Sequence, residues 1–171
     1  MKKYRLSIFL SALLLITTGC SSGPGILGGR FITGPAAQDI VEYVNQGLIS
    51  IAELEKRSLE SYASVTGDNY TTDQKIYETL KNFVIPTHKR FVESLRGISP
   101  ENPEIRKVHA IYVKAAETMN EGFYLKMIGI ENRDEGLIIQ SNKKIEEGRA
   151  GIEKWNAGLK ELYKKHGVAE E

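Results

Sequence analysis

Apolar residues along most of the chain recur at steps of three and four, the spacing that places them on one face of an α-helix. The first such period runs from Asp39, a predicted N-cap, to turn residues at 66–69. Charged residues between its apolar positions are predicted to form a solvated face; these are Glu53, Glu55, Lys56 and Arg57. The period therefore predicts an amphipathic helix with one buried stripe.

A second period begins at Thr71, where the spacing Thr71-x-x-Gln74 is that of a capping box, and continues to Ile98. Pro86 interrupts it. Because proline lacks a backbone N–H and crowds the preceding turn, we expect a kink near Phe83. The apolar face stays in phase across the proline, which predicts one bent helix rather than two.

Two further helices follow. Asn102 is placed to cap a third helix with Pro103 at its first position, and this helix is predicted to end near Ile130. After a short turn at residues 131–134, a fourth helix is predicted to end at Gly167. Connections of about three to six residues force neighbouring helices to run antiparallel. The fold prediction is therefore all-α, an antiparallel up-down-up-down four-helix bundle over residues 39–167, with a short tail at residues 168–171.

The first 20 residues have a different pattern. Lys2, Lys3 and Arg5 precede a mostly apolar run at residues 6–16, and small residues follow up to Cys20. This is the three-part order of an export signal. The apolar run has 11 residues, whereas a helix needs about 20 to cross a bilayer. A permanent transmembrane anchor is therefore not expected.

The end of this segment, Thr17-Thr18-Gly19-Cys20, resembles a bacterial lipobox, in which a small residue precedes a cysteine that is lipidated and becomes the new N-terminus. Gly19 and Cys20 fit the pattern, whereas Thr17 stands where the family usually has leucine. The resemblance implies a diacylglyceryl group on Cys20 and, in many bacteria, a further acyl chain such as palmitate. Several acyl chains hold a protein on a membrane more firmly than one chain does.

The resemblance also implies a location in the cell envelope. Residues 1–19 would be the lipoprotein signal peptide, and Ser21 is compatible with the outer membrane, facing the periplasm, in a Gram-negative cell. Residues 20–38 are rich in glycine and proline and are predicted to form a flexible tether, with a reach of roughly 23 Å. Without lipidation, Cys20 would be the lone, oxidisable thiol of an exported chain cut elsewhere.

Composition excludes several classes of protein. Lys and Arg number 23 against 22 for Asp and Glu, and without the three N-terminal cations the balance is 20 to 22, so no basic nucleic-acid surface is expected. One cysteine excludes a disulfide scaffold, covalent haem of the Cys-x-x-Cys-His type and a Cys-rich zinc module. The sequence also lacks the Glu-x-x-His pairs of di-iron bundles, the Gly-x-Ser-x-Gly motif of serine hydrolases and a phosphate-binding glycine loop. We therefore predict no enzyme and no cofactor.

One possible binding site arises from the predicted antiparallel arrangement. It places His88, His109, Tyr112 and Trp155 at similar heights around the bend at Pro86. Such a cluster could hold a small ligand or a metal, although catalytic zinc usually has three protein ligands. Non-covalent haem with methionine ligation also stays open. The simpler interpretation is that both histidines flank the apolar stripe and face water or a neighbouring backbone.

The leading functional hypothesis is a non-enzymatic, lipid-anchored lipoprotein whose bundle binds or spaces another envelope component. It contacts the membrane through Cys20, has an envelope protein as a possible partner and binds no nucleic acid. One alternative is a periplasmic bundle that binds a small ligand or metal near Pro86. Another is a periplasmic chaperone with an apolar groove that opens.

Overall fold

The computed structural model describes residues 26–27, 30–31 and 34–168. Helices make up most of this part of the chain, which also contains two antiparallel two-residue strands, β1 (Ile26–Leu27) and β2 (Arg30–Phe31). The α-helices are α1 (Pro35–Glu42), α2 (Ile49–Ala63), α3 (Asp73–Thr79), α4 (Ile85–Gly97), α5 (Pro103–Asn132) and α6 (Glu135–His166). The all-α prediction is confirmed, whereas the predicted signal peptide and the lipidation of Cys20 lie outside the described residues.

The helices form four long stretches. A π-helical segment, Tyr43–Leu48, joins α1 to α2, and a second one, Leu80–Val84, joins α3 to α4. The first stretch therefore spans residues 35–63 and the second spans 73–97, while α5 and α6 are the third and fourth. None of the helices in the described part of the chain combines the length and the apolar character needed to cross a bilayer.

The first helix begins earlier than predicted. Pro35 occupies the first turn of α1, and Gly34 before it has a φ of 104°, a conformation that glycine adopts readily. Asp39 is therefore not the N-cap, and its carboxylate instead accepts a hydrogen bond from Asn102 at 3.0 Å. The predicted tether, residues 20–38, overlaps α1 by four residues, because a proline that breaks a helix interior is well suited to its first turn.

The second stretch is capped by Thr72 rather than by Thr71. The Thr72 hydroxyl accepts a hydrogen bond from the backbone N–H of Lys75 at 3.2 Å. Gln74, the other half of the predicted capping box, donates to Glu78 instead. A threonine caps this helix, as predicted, but it is Thr72 and not Thr71.

Pro86 leaves the second stretch unbroken. Residues 73–97 are helical throughout, as predicted for a single helix, and the π-helical segment Leu80–Val84 is separated from the proline by Ile85. Loss of a backbone hydrogen bond at a proline and π-helical turns are both recognised sources of irregularity in helices. A π-helical turn thus lies at the position where the sequence predicts a kink, and the kink itself stays a prediction.

The start of α5 and the end of α6 match the sequence prediction, whereas α5 extends two residues past its predicted end, to Asn132. The Asn102 side chain accepts a hydrogen bond from the backbone N–H of Glu104 at 2.9 Å. At the other end of α5, Arg133 adopts a left-handed φ of 54°, and Asp134 caps α6. Gly167, with a φ of 69°, ends α6. The connection between these helices is therefore only two residues long.

Glycines bring α5 and α6 close together. A Cβ atom on Gly151 would lie 2.6 Å from the Cβ of Ala115, and one on Gly148 would lie 2.8 Å from the Cβ of Met119. Residue numbers thus rise along α5 as they fall along α6. Such separations are too short for real carbon atoms, so the close approach of the two helices requires glycine at these positions.

The core has two parts. The larger cluster includes Phe91, Tyr112 and Trp155, whereas the smaller one lies around Leu80 and Phe123. Both clusters contain residues from the first two stretches and from α5 or α6. The apolar interior therefore lies between two groups of helices: residues 35–97, here called the first helical pair, and α5 with α6, called the second helical pair.

Candidate functional site

Among the described residues, three hydrogen bonds between buried or half-buried side chains connect the two helical pairs. They join Tyr43 to His109, Glu55 to Tyr112, and His88 to Asn120. In each bond the first residue belongs to the first helical pair and the second to α5. Polar groups without partners are costly in an apolar interior, so these bonded side chains are the candidate functional residues of the core. The side chains of the first two bonds are called the buried network.

Glu55 is the buried acid of this region. Its side chain accepts a hydrogen bond from the Tyr112 hydroxyl at 2.7 Å through Oε2, while Oε1 has no hydrogen-bond partner among the described residues. Burial raises the pKa of Glu55 to about 7, and the hydroxyl of Tyr112 opposes this shift. The prediction that Glu55 belongs to a solvated charged face is therefore wrong.

Tyr112 connects Glu55 to an aromatic group. Its ring stacks on Trp155 with centroids 3.9 Å apart and planes 14° apart, and Phe91 meets it edge-on at 5.8 Å. Burial raises the pKa of Tyr112 well above its usual value, and the neighbouring carboxylate of Glu55 raises it further. Tyr112 is therefore a neutral hydrogen-bond donor at physiological pH.

His109 is held by Tyr43. The Tyr43 hydroxyl and His109 Nδ1 are 3.0 Å apart, and the two rings meet edge to face. Because burial raises the pKa of Tyr43, its hydroxyl keeps its proton, and a neutral hydroxyl shares this hydrogen bond with the imidazole. Nε2 has no hydrogen-bond partner among the described residues, and the backbone of Leu95 and Ile98 lies close enough to the ring to oppose the lowering of its pKa. Burial also lowers the pKa of His109, so the ring is neutral.

Trp155 places a second polar group beside Tyr43. Its Nε1–H lies near the Tyr43 hydroxyl, where it favours the ionised form of the tyrosine, but it is not within hydrogen-bond geometry of any acceptor in the described residues. Trp155 is only 3% exposed. Within the described residues, the indole N–H and Glu55 Oε1 are thus buried polar atoms without hydrogen-bond partners, and both side chains contact Tyr112.

His88 is separated from the other predicted ligands. It contacts Phe123 and Phe91 at centroid distances of 5.1 and 5.6 Å, and its Nδ1 donates to Asn120 at 3.3 Å. Burial lowers the pKa of His88 to about 4. Phe91 contacts both His88 and Tyr112. Of the four side chains predicted to cluster, only Tyr112 and Trp155 are in direct ring contact within the described part of the chain.

Both histidines are buried, at 1% exposure for His88 and 6% for His109. The simpler interpretation had them face water or a neighbouring backbone, and its first half is wrong. Each histidine uses a side-chain partner, and His109 also lies near the backbone of Leu95 and Ile98. Within the described part of the chain, no three His, Cys, Asp or Glu side chains come together as a metal site would require. A surface groove of about 400 Å³ lies on α5 and α6, beside Lys114 and Lys154, and none of the network residues lines it.

Sequence reasoning missed Glu55 and Tyr43. A signal for Glu55 was present, because Ile51, Glu55, Ser58 and Tyr62 follow one another at steps of four, three and four. These steps place the acid on the same face as two apolar residues, and the structure buries all four. Tyr43 gave no such signal, because it lies in a π-helical segment where the ordinary helical spacing does not apply.

The buried network contains few groups that can exchange a proton or form a hydrogen bond. It combines one acid with a pKa near neutrality, two aromatic hydroxyls and one neutral imidazole inside an apolar core. No protein-family model, curated protein or solved structure matches this chain. Function is therefore inferred from the residues of this chain alone.

Proposed function

We propose that this chain is a non-enzymatic lipoprotein of the bacterial cell envelope, anchored by lipid at Cys20, whose bundle binds or spaces another envelope component. The observation that carries the proposal is the position of its single cysteine, directly after an apolar export segment and in a lipobox-like sequence. Acyl chains on that sulfur would hold the helical part at a membrane surface. A location on the periplasmic side of the outer membrane, in a Gram-negative cell, belongs to the same proposal.

The proposed architecture is an up-down-up-down four-helix bundle. Contacts between consecutive stretches support it, because residue numbers rise along one stretch as they fall along the next. The contacts are Gly47 with Ile98 and Arg57 with Phe83; His88 with Asn120 and Arg96 with Glu117; Ala115 with Gly151 and Met119 with Gly148.

The dimensions of the bundle suit a spacer. Helix α6 has 32 residues, which corresponds to about 48 Å at 1.5 Å per residue. Fourteen residues separate Cys20 from Pro35, so α1 begins within about 50 Å of the anchor even for an extended chain. Asp39 accepts a hydrogen bond from Asn102 at the end of the bundle that is near the anchor. The turn that contains Tyr70 follows α2 and lies at the opposite end, called the far end. We expect the far end to contact the partner.

Metabolic labelling tests the anchor. Cells expressing the full chain would be given an alkyne-tagged palmitate, and Cys20→Ser would be compared with the matched control Ser22→Ala. We expect the label on the unchanged chain and on the control, and loss of the label from Cys20→Ser. Label that persists on Cys20→Ser, or that never appears on the unchanged chain, would contradict the proposal.

Site-specific crosslinking tests the partner. A photo-reactive residue at Tyr70, which is 54% exposed at the far end, would be compared with one at Lys107, which is exposed near the start of α5. We expect a discrete crosslinked envelope protein from the first position and little from the second. Equal crosslinking at both positions would argue against recognition at the far end.

A second candidate function is the binding of a small ligand or metal in the core. The observation in its favour is that Glu55 Oε1 and Trp155 Nε1, both buried, have no hydrogen-bond partner among the described residues. Elemental analysis and an absorption spectrum of the purified protein would test it. Stoichiometric metal or a Soret band would favour this function over a purely mechanical role.

A further inference from the structure

The contact between the two helical pairs differs in character from the contact within the second pair. Small residues such as Gly148 and Gly151 allow α5 and α6 to pack closely. Between the pairs, by contrast, the core contains the bonds from Tyr43 to His109 and from Glu55 to Tyr112. Polar contacts between α5 and α6 also exist, such as Lys126 with Asn142 and Glu104 with His166, but the buried acid Glu55 and its tyrosine partner lie at the surface between the pairs.

Glu55 has few groups that could stabilise a negative charge. Tyr112 faces it from α5 and donates the single hydrogen bond, while Tyr43 on its own stretch and His109 on α5 complete the titratable groups of the network. Trp155 from α6 and Phe91 from α4 pack on Tyr112 and do not titrate. Among the described residues, no lysine or arginine contributes to the shift at Glu55. An ionised carboxylate here would lack a counter-charge, which is costly in a buried site.

We propose that the protonation state of Glu55 controls whether the two helical pairs stay packed against each other. This control is called the Glu55 latch. In its protonated form, Glu55 allows the pairs to pack against each other through the Tyr112 bond. When Glu55 loses its proton, separation of the pairs gives the carboxylate access to water and exposes the apolar surfaces that face each other. The latch does not depend on the lipid anchor, so the anchor experiments and the experiments below can fail independently.

The pH range follows from the sign of the pKa shift. The folded value of about 7 is higher than the ordinary 4.5. The contribution of Glu55 to the closed state is therefore fully present below about pH 4.5 and is lost as the pH rises through 7. Between pH 5.5 and 8.5, opening is expected to increase by a factor on the order of 10 to 100.

Trp155 supplies the readout. It is the single tryptophan of the chain, and its indole N–H is buried in the core between the pairs. Hydrogen exchange of this N–H, measured by NMR on the full chain and corrected for the intrinsic effect of pH, reports separation of the pairs. The backbone amide of Gly148, buried between α5 and α6, is the matched internal probe. We expect exchange at Trp155 to accelerate with rising pH while exchange at Gly148 stays unchanged.

Two variants test whether Glu55 is the acid that causes the pH dependence. Glu55→Gln should abolish the pH dependence at Trp155, whereas Glu53→Gln, an exposed neighbour on the same helix, should leave it intact. An unchanged pH dependence in Glu55→Gln would overturn the latch, as would equal acceleration at Gly148, which would indicate global unfolding.

A further variant covers the case in which Glu55→Gln does not fold. Tyr112→Phe removes the donor that favours the ionised carboxylate, so the midpoint of the exchange profile should move to higher pH. A midpoint that stays in place or moves to lower pH would overturn the proposal.

Discussion

At the scale of single residues, side-chain size controls how closely α5 and α6 approach. Gly148 faces Met119, and an added Cβ would lie 2.8 Å from the Met119 Cβ and 3.0 Å from the backbone oxygen of Ala115. Neither atom is the end of a flexible side chain, so neither can move aside without a shift of the helix. The absence of a side chain at Gly148 is therefore a packing requirement.

This requirement predicts that Gly148→Ala destabilises the protein by about 1–3 kcal/mol, the usual cost of overpacking. Gly97→Ala is the matched control, because nothing lies within 4 Å of its added Cβ and alanine favours a helix by about 0.5–1 kcal/mol. Urea denaturation of both variants measures the free energy of unfolding. Equal stabilities for the two variants would contradict the proposed close contact.

The polar residues show why some positions cannot be predicted from sequence. His109, Tyr112 and Trp155 were expected together, because antiparallel helices place them at similar heights. The structure stacks Tyr112 on Trp155, whereas His109 is bonded to Tyr43, which lies beside Trp155. His88 was expected with them, but it contacts Phe91, which in turn contacts Tyr112. Height along a helix follows from residue numbers, whereas the position around the core depends on the crossing of helices and is not visible in the sequence.

At the scale of elements, the caps decide where helices begin. Asn102 and Gly167 were predictable, because capping depends on residue type and on neighbours within a few positions. The start of α1 was less predictable, because Pro35 could have belonged either to a linker or to a first helical turn. The segment Tyr43–Leu48 gave no signal, since π-helical turns have no marked composition.

The corrected cap of α3 provides a direct test. Thr72→Ala should destabilise the protein by about 1 kcal/mol, because the backbone N–H of Lys75 loses its acceptor. Thr71→Ala, one residue earlier and also exposed, should have little effect. Thermal denaturation of the two variants distinguishes them, and a larger loss from Thr71→Ala would show that the capping box predicted from sequence is the true cap.

At the scale of the whole molecule, the all-helical fold follows from the sequence, because its long apolar periods leave little ambiguity between helix and strand. The buried network between the helical pairs does not, since it depends on contacts such as Glu55 with Tyr112, which are 57 positions apart. The proposed role adds an anchor to this fold. In that account, lipid at Cys20 fixes one end near the membrane and leaves the far end available to a partner.

Mass spectrometry of the mature protein from cells is the most direct test of this account. The proposal predicts a species that begins at Cys20 and carries the added mass of acyl chains, with residues 1–19 removed. A chain in cells that keeps Met1, or one that begins elsewhere with Cys20 unmodified, would contradict lipid anchoring and the function built on it.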